Sequence, residues 1–179
     1  MISKNSVPNQ HIGEDVVFHL RRHWFIFFRM FLFFSLLVAL PAVVYFIITS
    51  GTTNMLENEI SYPMLVVLFL SYYLMLLISI FTVWTNTYLD VWTVTTDRII
   101  NREQNGLFHR VVSELDLRRV QDVTAEQKGF FPTIFHYGNV YVQSAGVKER
   151  FVFEQIPHPY RVAKMIQKLD EKAKKNRLK

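Results

Sequence analysis

The sequence contains no cysteine. Disulfides, thiolate chemistry and cysteine-based metal sites are therefore excluded, and a reducing compartment is indicated. Also missing are a Walker-type phosphate loop, a nucleophile elbow, an HExxH motif and a glycine-rich dinucleotide turn. From these absences we predict a protein that is not an enzyme and has neither catalytic residues nor a cofactor.

Acidic and basic residues are absent from two apolar runs, Met30 to Thr49 and Met64 to Trp84. Each run holds about 20 residues, which at about 1.5 Å rise per residue crosses a hydrocarbon core of roughly 30 Å. Two core helices of a soluble protein would be equally apolar, but the remaining chain is too small and too polar to enclose them. A signal peptide has one shorter apolar region. The sequence predicts transmembrane helices over 29–49 and 64–85.

The connector between the runs, residues 50–63, lacks lysine and arginine and carries Glu57 and Glu59. Bases flank the first run and are frequent after the second run. Because basic segments stay on the cytoplasmic side, the pattern predicts an extracytoplasmic connector and two cytoplasmic termini. The expected location is therefore a multi-pass position in the cytoplasmic membrane.

The segment before the first run divides into two parts. Residues 1–12 have the polar composition of a flexible terminus. Over 13–28, apolar residues such as Val16, Leu20 and Trp24 recur at helical spacing, which predicts an amphipathic interfacial helix. Bases and indole rings near the two runs are expected membrane-surface contacts: Arg21, Arg22, Trp24, Arg29 and Trp84.

Two histidines in this segment, His19 and His23, are four residues apart and would share a helix face. Such spacing suits a pair of metal ligands, but a stable site needs further ligands and none lies nearby in the sequence. We therefore predict a structural role for both histidines and no bound metal.

Polar groups inside the apolar runs indicate helix-helix contacts. Pro41 cannot donate a backbone hydrogen bond to the carbonyl group of Leu37, which predicts a kink that neighbouring groups must satisfy. Ser71, Tyr72 and Tyr73 in the second run are predicted to hydrogen-bond across the hairpin or between copies of the chain. They are candidate assembly contacts.

Residues 86–179 have the pattern of one cytoplasmic domain. Short β-branched and aromatic runs alternate with turns such as Thr96-Asp97 and Asn105-Gly106, which predicts six or seven antiparallel strands in a small barrel or sandwich. One of these strands is predicted over Leu107 to Val112, directly after the Asn105-Gly106 turn. Aromatic residues are concentrated in the connection 129–138. They either close the barrel or contact another chain, and the candidate assembly residues are Phe130, Phe131 and Phe135.

The chain ends in a predicted amphipathic helix that begins near Pro157 and Pro159 and caps the barrel. Its basic residues lie off the apolar face and are either solvated or in contact with anionic lipid: Arg161, Lys164, Lys168 and Lys172. The formal net charge is +5. Beside a bilayer, this basic balance favours anionic lipid over nucleic acid as a partner.

The chain resembles the bacterial pleckstrin-homology-like membrane proteins, long known as a domain of unknown function. The resemblance is carried by Val94-Thr95-Thr96-Asp97-Arg98-Ile99-Ile100, by Leu117-Arg118-Arg119-Val120-Gln121-Asp122-Val123, by Tyr137-Gly138-Asn139-Val140-Tyr141-Val142 and by Ile156-Pro157. It implies an α+β membrane protein of the bacterial inner membrane, in which a transmembrane hairpin precedes a PH-like barrel capped by a C-terminal helix. In eukaryotic relatives, bases around the first hairpin bind lipid phosphate. This chain has Arg98 and Arg102 there, beside Asp97 and Glu103.

Two functions remain open from the sequence. In the first, the protein is a membrane-anchored scaffold that forms homo-oligomers or binds another membrane or cytoplasmic protein. In the second, the domain and its terminal helix bind anionic lipid through the basic residues. Molecular mass in detergent distinguishes the first function, and binding to anionic vesicles distinguishes the second.

Overall fold

The computed structural model describes residues 13–50, 61–144 and 151–176. The predicted flexible terminus, 1–12, and most of the predicted connector, 50–63, lie outside the described residues. The chain forms two compact units, one made of residues 24–85 and the other of the segments on either side of it. The second unit, which we call the domain, is therefore discontinuous in sequence.

The first unit is a pair of long helices, α1 (Trp24–Ser50) and α2 (Ser61–Leu89). Both are long and apolar enough to cross a membrane. They confirm the two predicted apolar helices, and each is longer than the apolar run that predicted it. Most of their large apolar side chains are exposed on the chain. The pair is therefore compatible with membrane association.

The proline in α1 is accommodated by a tyrosine in α2. The hydroxyl group of Tyr72 donates a 2.8 Å hydrogen bond to the carbonyl oxygen of Leu37, the group that Pro41 leaves without a backbone donor. The hydroxyl group of Tyr73 donates to the next carbonyl oxygen, that of Val38, at 3.2 Å. The second helix thus supplies the hydrogen bond that Pro41 cannot donate to Leu37.

Within the described residues, the domain contains two antiparallel sheets and two α-helices. One sheet has the order β1-β2-β3-β4 and the other has the order β5-β6-β7. The strands are β1 (Val16–Arg21), β2 (Val91–Thr95), β3 (Arg98–Gln104), β4 (Arg110–Asp116), β5 (Val120–Glu126), β6 (Tyr137–Ser144) and β7 (Phe151–Pro157). A short helix, α3 (Phe130–Phe135), joins β5 to β6, and α4 (Pro159–Asn176) ends the domain. Seven strands and a terminal helix confirm the predicted α+β class.

The predicted interfacial helix over 13–28 is wrong, because its first part is strand β1 and α1 begins directly at Trp24. Burial in β1 alternates with a period of two residues, and Leu20 reaches the core. The strand pairs with β2 in a register that places Arg21 opposite Val91. Short apolar segments fit a helical and a strand period equally well, and here the ladder with β2 decides. The domain therefore begins before the helices, and not at residue 86 as predicted.

The turn between β3 and β4 shifts the second strand relative to the prediction. Gly106 has a φ of 80°, a left-handed conformation that glycine adopts without steric cost. The backbone N–H of Asn105 donates to the carbonyl oxygen of His109 at 2.8 Å and closes the turn. Leu107 and Phe108 therefore lie in the turn, whereas the sequence predicted them in a strand.

The core of the domain lies between the two sheets and α4. Trp92 from β2 and Phe153 from β7 approach to 6.0 Å between ring centroids. Helix α4 contributes its predicted apolar face, because Val162, Ala163 and Ile166 are buried. Burial of this face, at about 25 cal/mol per Å² of apolar area, explains why a helix with exposed bases stays on the barrel.

Candidate membrane and assembly surfaces

The two ends of the domain differ in the chain segments and side chains that lie there. We call one the exit end, where β1 leads through His23 to α1 and where α2 leads through Asp90 into β2. The opposite end of the same strands, which we call the far end, contains Thr96, Asp97 and the 3-10 turn Leu117–Arg119. Strands of five to seven residues separate the two ends, which corresponds to about 20 Å.

A cluster of charges at the exit end links the residues next to β1 and β2 with residues of β3 and β7. The guanidinium group of Arg22 donates to the carboxylate of Asp90 at 2.9 and 3.1 Å and to that of Glu154 at 2.8 Å. It also donates to the side-chain oxygen of Gln155 at 3.2 Å. The other carboxylate oxygen of Asp90 accepts the backbone N–H of Gln104 at 2.9 Å. Arg22, predicted as a membrane-surface contact, is thus engaged inside the domain.

A second arginine cluster lies at the far end. Arg98 donates from two nitrogens to the carboxylate of Glu14, at 2.9 and 3.0 Å, and to that of Glu114. The side chain of Glu14 is fully buried and that of Arg98 is 10% exposed. The hydrogen bonds that Arg98 donates to the Glu14 carboxylate raise the pKa of Arg98, although burial opposes the shift. Arg98 therefore forms a structural ion pair with Glu14 and does not take the lipid-phosphate role that bases near the first hairpin have in the eukaryotic relatives.

Among the described residues other than glycine, three adopt left-handed backbone conformations, and all lie near the exit end: His136, Gln155 and His158, with φ of 55°, 52° and 49°. At Gln155 this conformation lets the carbonyl oxygen accept the backbone N–H of His23 at 2.7 Å. The ring of His23 stacks on Tyr137 at 5.3 Å between centroids. Strained backbone of this kind persists where the surroundings determine it closely, so the attachment of β1 is structurally well defined.

A cavity of about 270 Å³ opens beside the Arg22 cluster. It is lined by three carboxylates, those of Asp90, Glu103 and Glu154, and by a single base, Arg22. Trp92 and Asn101 also line it, and the Trp92 Nε1 and Asn101 Oδ1 atoms are buried without a hydrogen-bond partner in the described part of the chain. Excess negative charge disfavours a phosphate in this cavity. Any contact with anionic lipid is therefore expected on the outer surface.

Two apolar features project from the exit end. Helix α3 exposes Phe130, Phe131 and Ile134, with 74%, 53% and 51% of their surfaces accessible. At the β3–β4 turn, Phe108 is 100% exposed. Phe130, Phe131 and Ile134 therefore do not close the end of the domain. In the same connection, Tyr137 is buried and Phe135 is half-buried.

The basic residues of α4 form the exposed stripe that the sequence predicts. Arg161, Lys164, Lys168 and Lys172 are all exposed. The stripe extends from the exit end, where the N–H of His158 donates to the carbonyl oxygen of His136 at 2.8 Å, to the far end, where Lys174 donates to the carbonyl oxygen of Val120 at 3.0 Å. Its first and last bases lie about 16 Å apart along the helix.

The remaining predicted contacts lie on the two helices or next to them. Trp24, Arg29 and Trp84 are exposed, and the ring of Trp84 contacts Phe27 at 5.3 Å. In the domain, the guanidinium group of Arg21 lies 5.1 Å from the ring centroid of Tyr88. The hydroxyl of Ser71 donates to the carbonyl oxygen of Leu68 within α2. Ser71, Tyr72 and Tyr73 thus form hydrogen bonds within the chain, which removes the demand for a partner that motivated their prediction as assembly contacts.

The histidines have separate environments. The Nδ1 atom of His19 lies 3.0 Å from the hydroxyl oxygen of Thr93. Burial lowers the pKa of His19, and the charges of Arg102 and Arg21 lower it further. Burial also lowers the pKa of His23, with a smaller contribution from His158. Within the described residues, no three histidines or carboxylates are arranged to hold a metal ion.

Comparison with known proteins identifies the family. The family described as bacterial PH domain matches residues 30–177. The chain belongs to the bacterial PH domain family. This match confirms the resemblance that the turn and core residues indicate, and it includes most of α1, all of α2 and the domain from β2 onward, but not β1.

Solved structures add a more distant similarity. A DUF1696 family protein from Shewanella loihica with a pleckstrin-homology domain shares 16% identity with this bacterial PH protein, at a TM-score of 0.38. The alignment covers 45% of this chain and 70% of that chain. No curated protein gives a significant match.

Sequence reasoning missed three features of the exit end: strand β1, the Arg22 cluster and the projecting side chain of Phe108. The partners of Arg22 are 68 and 132 residues away in sequence, and no local pattern pairs them. Phe108 had a usable signal, because the predicted Asn105-Gly106 turn places it close to the tip of a hairpin.

Proposed function

We propose that this protein is a membrane-anchored scaffold without enzyme activity, whose bacterial PH domain presents binding surfaces at the cytoplasmic face of the bacterial inner membrane. One observation carries the proposal: the two apolar helices are inserted between β1 and β2, which are adjacent strands of one sheet. The domain is therefore joined to the helices at two neighbouring points, and not by one flexible linker.

Both connections are short. Two residues separate β1 from α1, and the single residue Asp90 separates α2 from β2. A long flexible tether would let a domain rotate freely, whereas a double connection of this length limits its orientation at the membrane surface. A restricted orientation suits a protein that presents one fixed surface to partners.

The strand pairing also supports the predicted topology. Because Arg21 and Val91 are paired in one sheet, the chain must return to the side of the membrane from which it left. Helices of 27 and 29 residues correspond to about 40 Å each, which exceeds a hydrocarbon core of roughly 30 Å. Together with the positive-inside pattern, this supports a hairpin with both termini in the cytoplasm.

Single cysteines test the topology, because the natural chain has none. Asn58→Cys in the connector is expected to react with a membrane-impermeant maleimide in intact bacterial cells. The matched variant Arg119→Cys, at the far end of the domain, is expected to react after the membrane is permeabilised. The opposite labelling pattern would contradict the proposed orientation.

Self-association belongs to the same proposal. Two helices cannot cover each other's circumference, and most large apolar side chains of α1 and α2 are exposed on the chain. In lipid, such surfaces associate by close packing and not by a hydrophobic drive. We expect a symmetric homo-oligomer in mild detergent, with its mass measured by light scattering. A monomeric mass over a range of protein concentrations would contradict this part of the proposal.

The exposed bases of α4 support a second candidate, a domain that binds anionic lipid. Each base near an anionic surface contributes about 1 kcal/mol. A soluble variant in which a short Asn-Gly turn replaces residues 24–89 tests it, since Arg21 and Val91 lie in hairpin register. Replacement of Lys164, Lys168 and Lys172 by Gln is expected to weaken its binding to phosphatidylglycerol vesicles. Unchanged binding, or none by the parent variant, would remove this candidate.

A further inference from the structure

The exit end of the domain has an apolar surface that the described fold does not bury. It consists of Phe130, Phe131 and Ile134 on α3 and of Phe108 at the β3–β4 turn. Single exposed apolar residues are common on soluble proteins, but a concentration at one end of a domain indicates an interaction surface. The identity of the partner depends on what lies next to this end.

Helix α3 is tied to the point where the chain leaves the domain for α1. Two residues after the end of α3, Tyr137 stacks on His23 at 5.3 Å between ring centroids. His23 is the last residue before Trp24, where α1 begins. The chain connection at this point therefore brings the region of α3 close to the surface of any membrane that α1 enters.

The β3–β4 turn is tied in the same way to the point where the chain returns from α2. The backbone N–H of Gln104, the last residue of β3, donates to the carboxylate of Asp90 at 2.9 Å. Asp90 directly follows Leu89, where α2 ends. The turn carries Phe108 four residues beyond Gln104, so the second apolar feature accompanies the second chain connection.

The bases around these apolar side chains suit anionic headgroups. Phe108 is followed by His109 and Arg110, which are both exposed. Lys128 precedes α3, and Arg161 lies in the first turn of α4, whose start is hydrogen-bonded to the residue after α3. Aromatic side chains with nearby bases are typical of the membrane interface, where the rings enter the acyl boundary and the charges remain at headgroup level.

We propose that α3 and the β3–β4 turn are two membrane-inserting prongs, which enter the lipid leaflet beside the two chain connections to the helices. The partner is the lipid surface and not a second copy of the chain. The inference rests on the proposed membrane anchor and adds to it which residues touch lipid. It reassigns Phe130 and Phe131 from the assembly role that the sequence predicts.

The test uses single-cysteine variants of the full chain. Phe108→Cys, Phe130→Cys and Ile134→Cys are labelled in detergent with an environment-sensitive nitrobenzoxadiazole dye and reconstituted into nanodiscs of phosphatidylcholine and phosphatidylglycerol. Arg119→Cys at the far end is the exposed control, and Leu70→Cys within α2 is the reference for the anchor. Emission is compared with and without lipids that carry a doxyl quencher near the headgroup or deep in the acyl chain.

We expect blue-shifted emission at positions 108, 130 and 134, with several-fold stronger quenching by the shallow doxyl lipid than at position 119. Emission that is blue-shifted but insensitive to doxyl lipid would indicate a protein contact and would overturn the proposal. Water-like emission at all three positions would overturn it as well.

The reference label separates this inference from the anchor on which it depends. Quenching of Leu70→Cys by the deep quencher, together with unquenched prongs, would reject the prongs and leave the anchor in place. Lack of quenching at Leu70→Cys would reject both. The molecular mass of the Phe130→Ser, Phe131→Ser double variant supplies an independent check. If these side chains contact lipid, the mass of the oligomer is unchanged in the variant. If they contact another copy of the chain, the mass decreases.

Discussion

Two arginine clusters hold the first strand of the domain, and they differ in their access to solvent. At the far end, Arg98 pairs with Glu14, whose side chain is fully buried. At the exit end, Arg22 is 19% exposed and pairs with Asp90, which is 6% exposed, and with Glu154, which is 51% exposed. Ion pairs thus hold strand β1 at both of its ends. The ion pair at the far end is buried, and those at the exit end are partly exposed to solvent.

The need for two clusters follows from the discontinuity of the domain in sequence. Strand β1 is separated in sequence from its partner β2 by the whole of residues 24–85, and no short turn holds the two strands together. Closing so long a loop costs conformational entropy, which the two clusters and the burial of Leu20 offset. The far end stabilises the strand, and the exit end leaves polar groups around a cavity.

The largest expected effect is loss of the strand itself. A soluble variant that retains β1, with a short turn in place of residues 24–89, is expected to fold cooperatively. A matched variant that begins at residue 86 lacks β1 and is expected to be unfolded or to aggregate, because the edge of β2 and the core around Trp92 become exposed. Circular dichroism and thermal unfolding compare them, and equal stability would show that β1 is not part of the domain.

Removing the buried carboxylate at the far end is expected to have the next largest effect. Glu14→Ala leaves the guanidinium group of Arg98 without its principal partner, and breaking a buried ion pair costs about 3–5 kcal/mol. Chemical denaturation of the soluble variant that retains β1 measures the change. A loss below about 1 kcal/mol, the range of surface ion pairs, would mean that Glu14 is solvated and the two clusters are alike.

The exit-end cluster is expected to contribute less. Asp90→Ala removes the partner of Arg22 and leaves the N–H of Gln104 unpaired, at a cost of about 1–3 kcal/mol. Glu154→Ala removes the exposed partner and is expected to cost about 0–1 kcal/mol. A larger loss for Asp90→Ala than for Glu14→Ala would reverse the proposed order of the two ends.

Acidification is expected to weaken the exit end through His23, in addition to an effect of His19, whose pKa burial also lowers. The pKa of His23 is lowered from its ordinary value of 6.5, mainly by burial, so below that pH the unfolded chain binds a proton that the folded domain resists. Stability is therefore constant above about pH 6.5 and falls as the pH is lowered towards the folded pKa. His23→Phe retains an aromatic ring against Tyr137 and is expected to flatten this dependence. An unchanged slope between pH 7 and pH 5 in that variant would assign the titration elsewhere.

The sequence alone determined the elements whose reasons are local. Two charge-free runs are long enough to cross a bilayer wherever they occur, and the structure has long helices at both. The apolar spacing of Val162, Ala163 and Ile166 determined the buried face of α4. The Asn105-Gly106 pair determined a turn, because Gly106 adopts its left-handed conformation without steric cost.

Tertiary structure decided the features whose partners are distant in sequence. Val16 to Arg21 becomes a strand because β2, about 70 residues later, supplies its hydrogen bonds. Arg22 forms ion pairs with Asp90 and Glu154 because the fold brings both carboxylates next to it. In the helices, the hydroxyl group of Tyr72 donates to the carbonyl oxygen of Leu37, which Pro41 leaves without a backbone donor. A local pattern indicates which structures a segment is able to form. The folded chain then brings together the hydrogen-bond and charge partners, and these decide which of the structures forms.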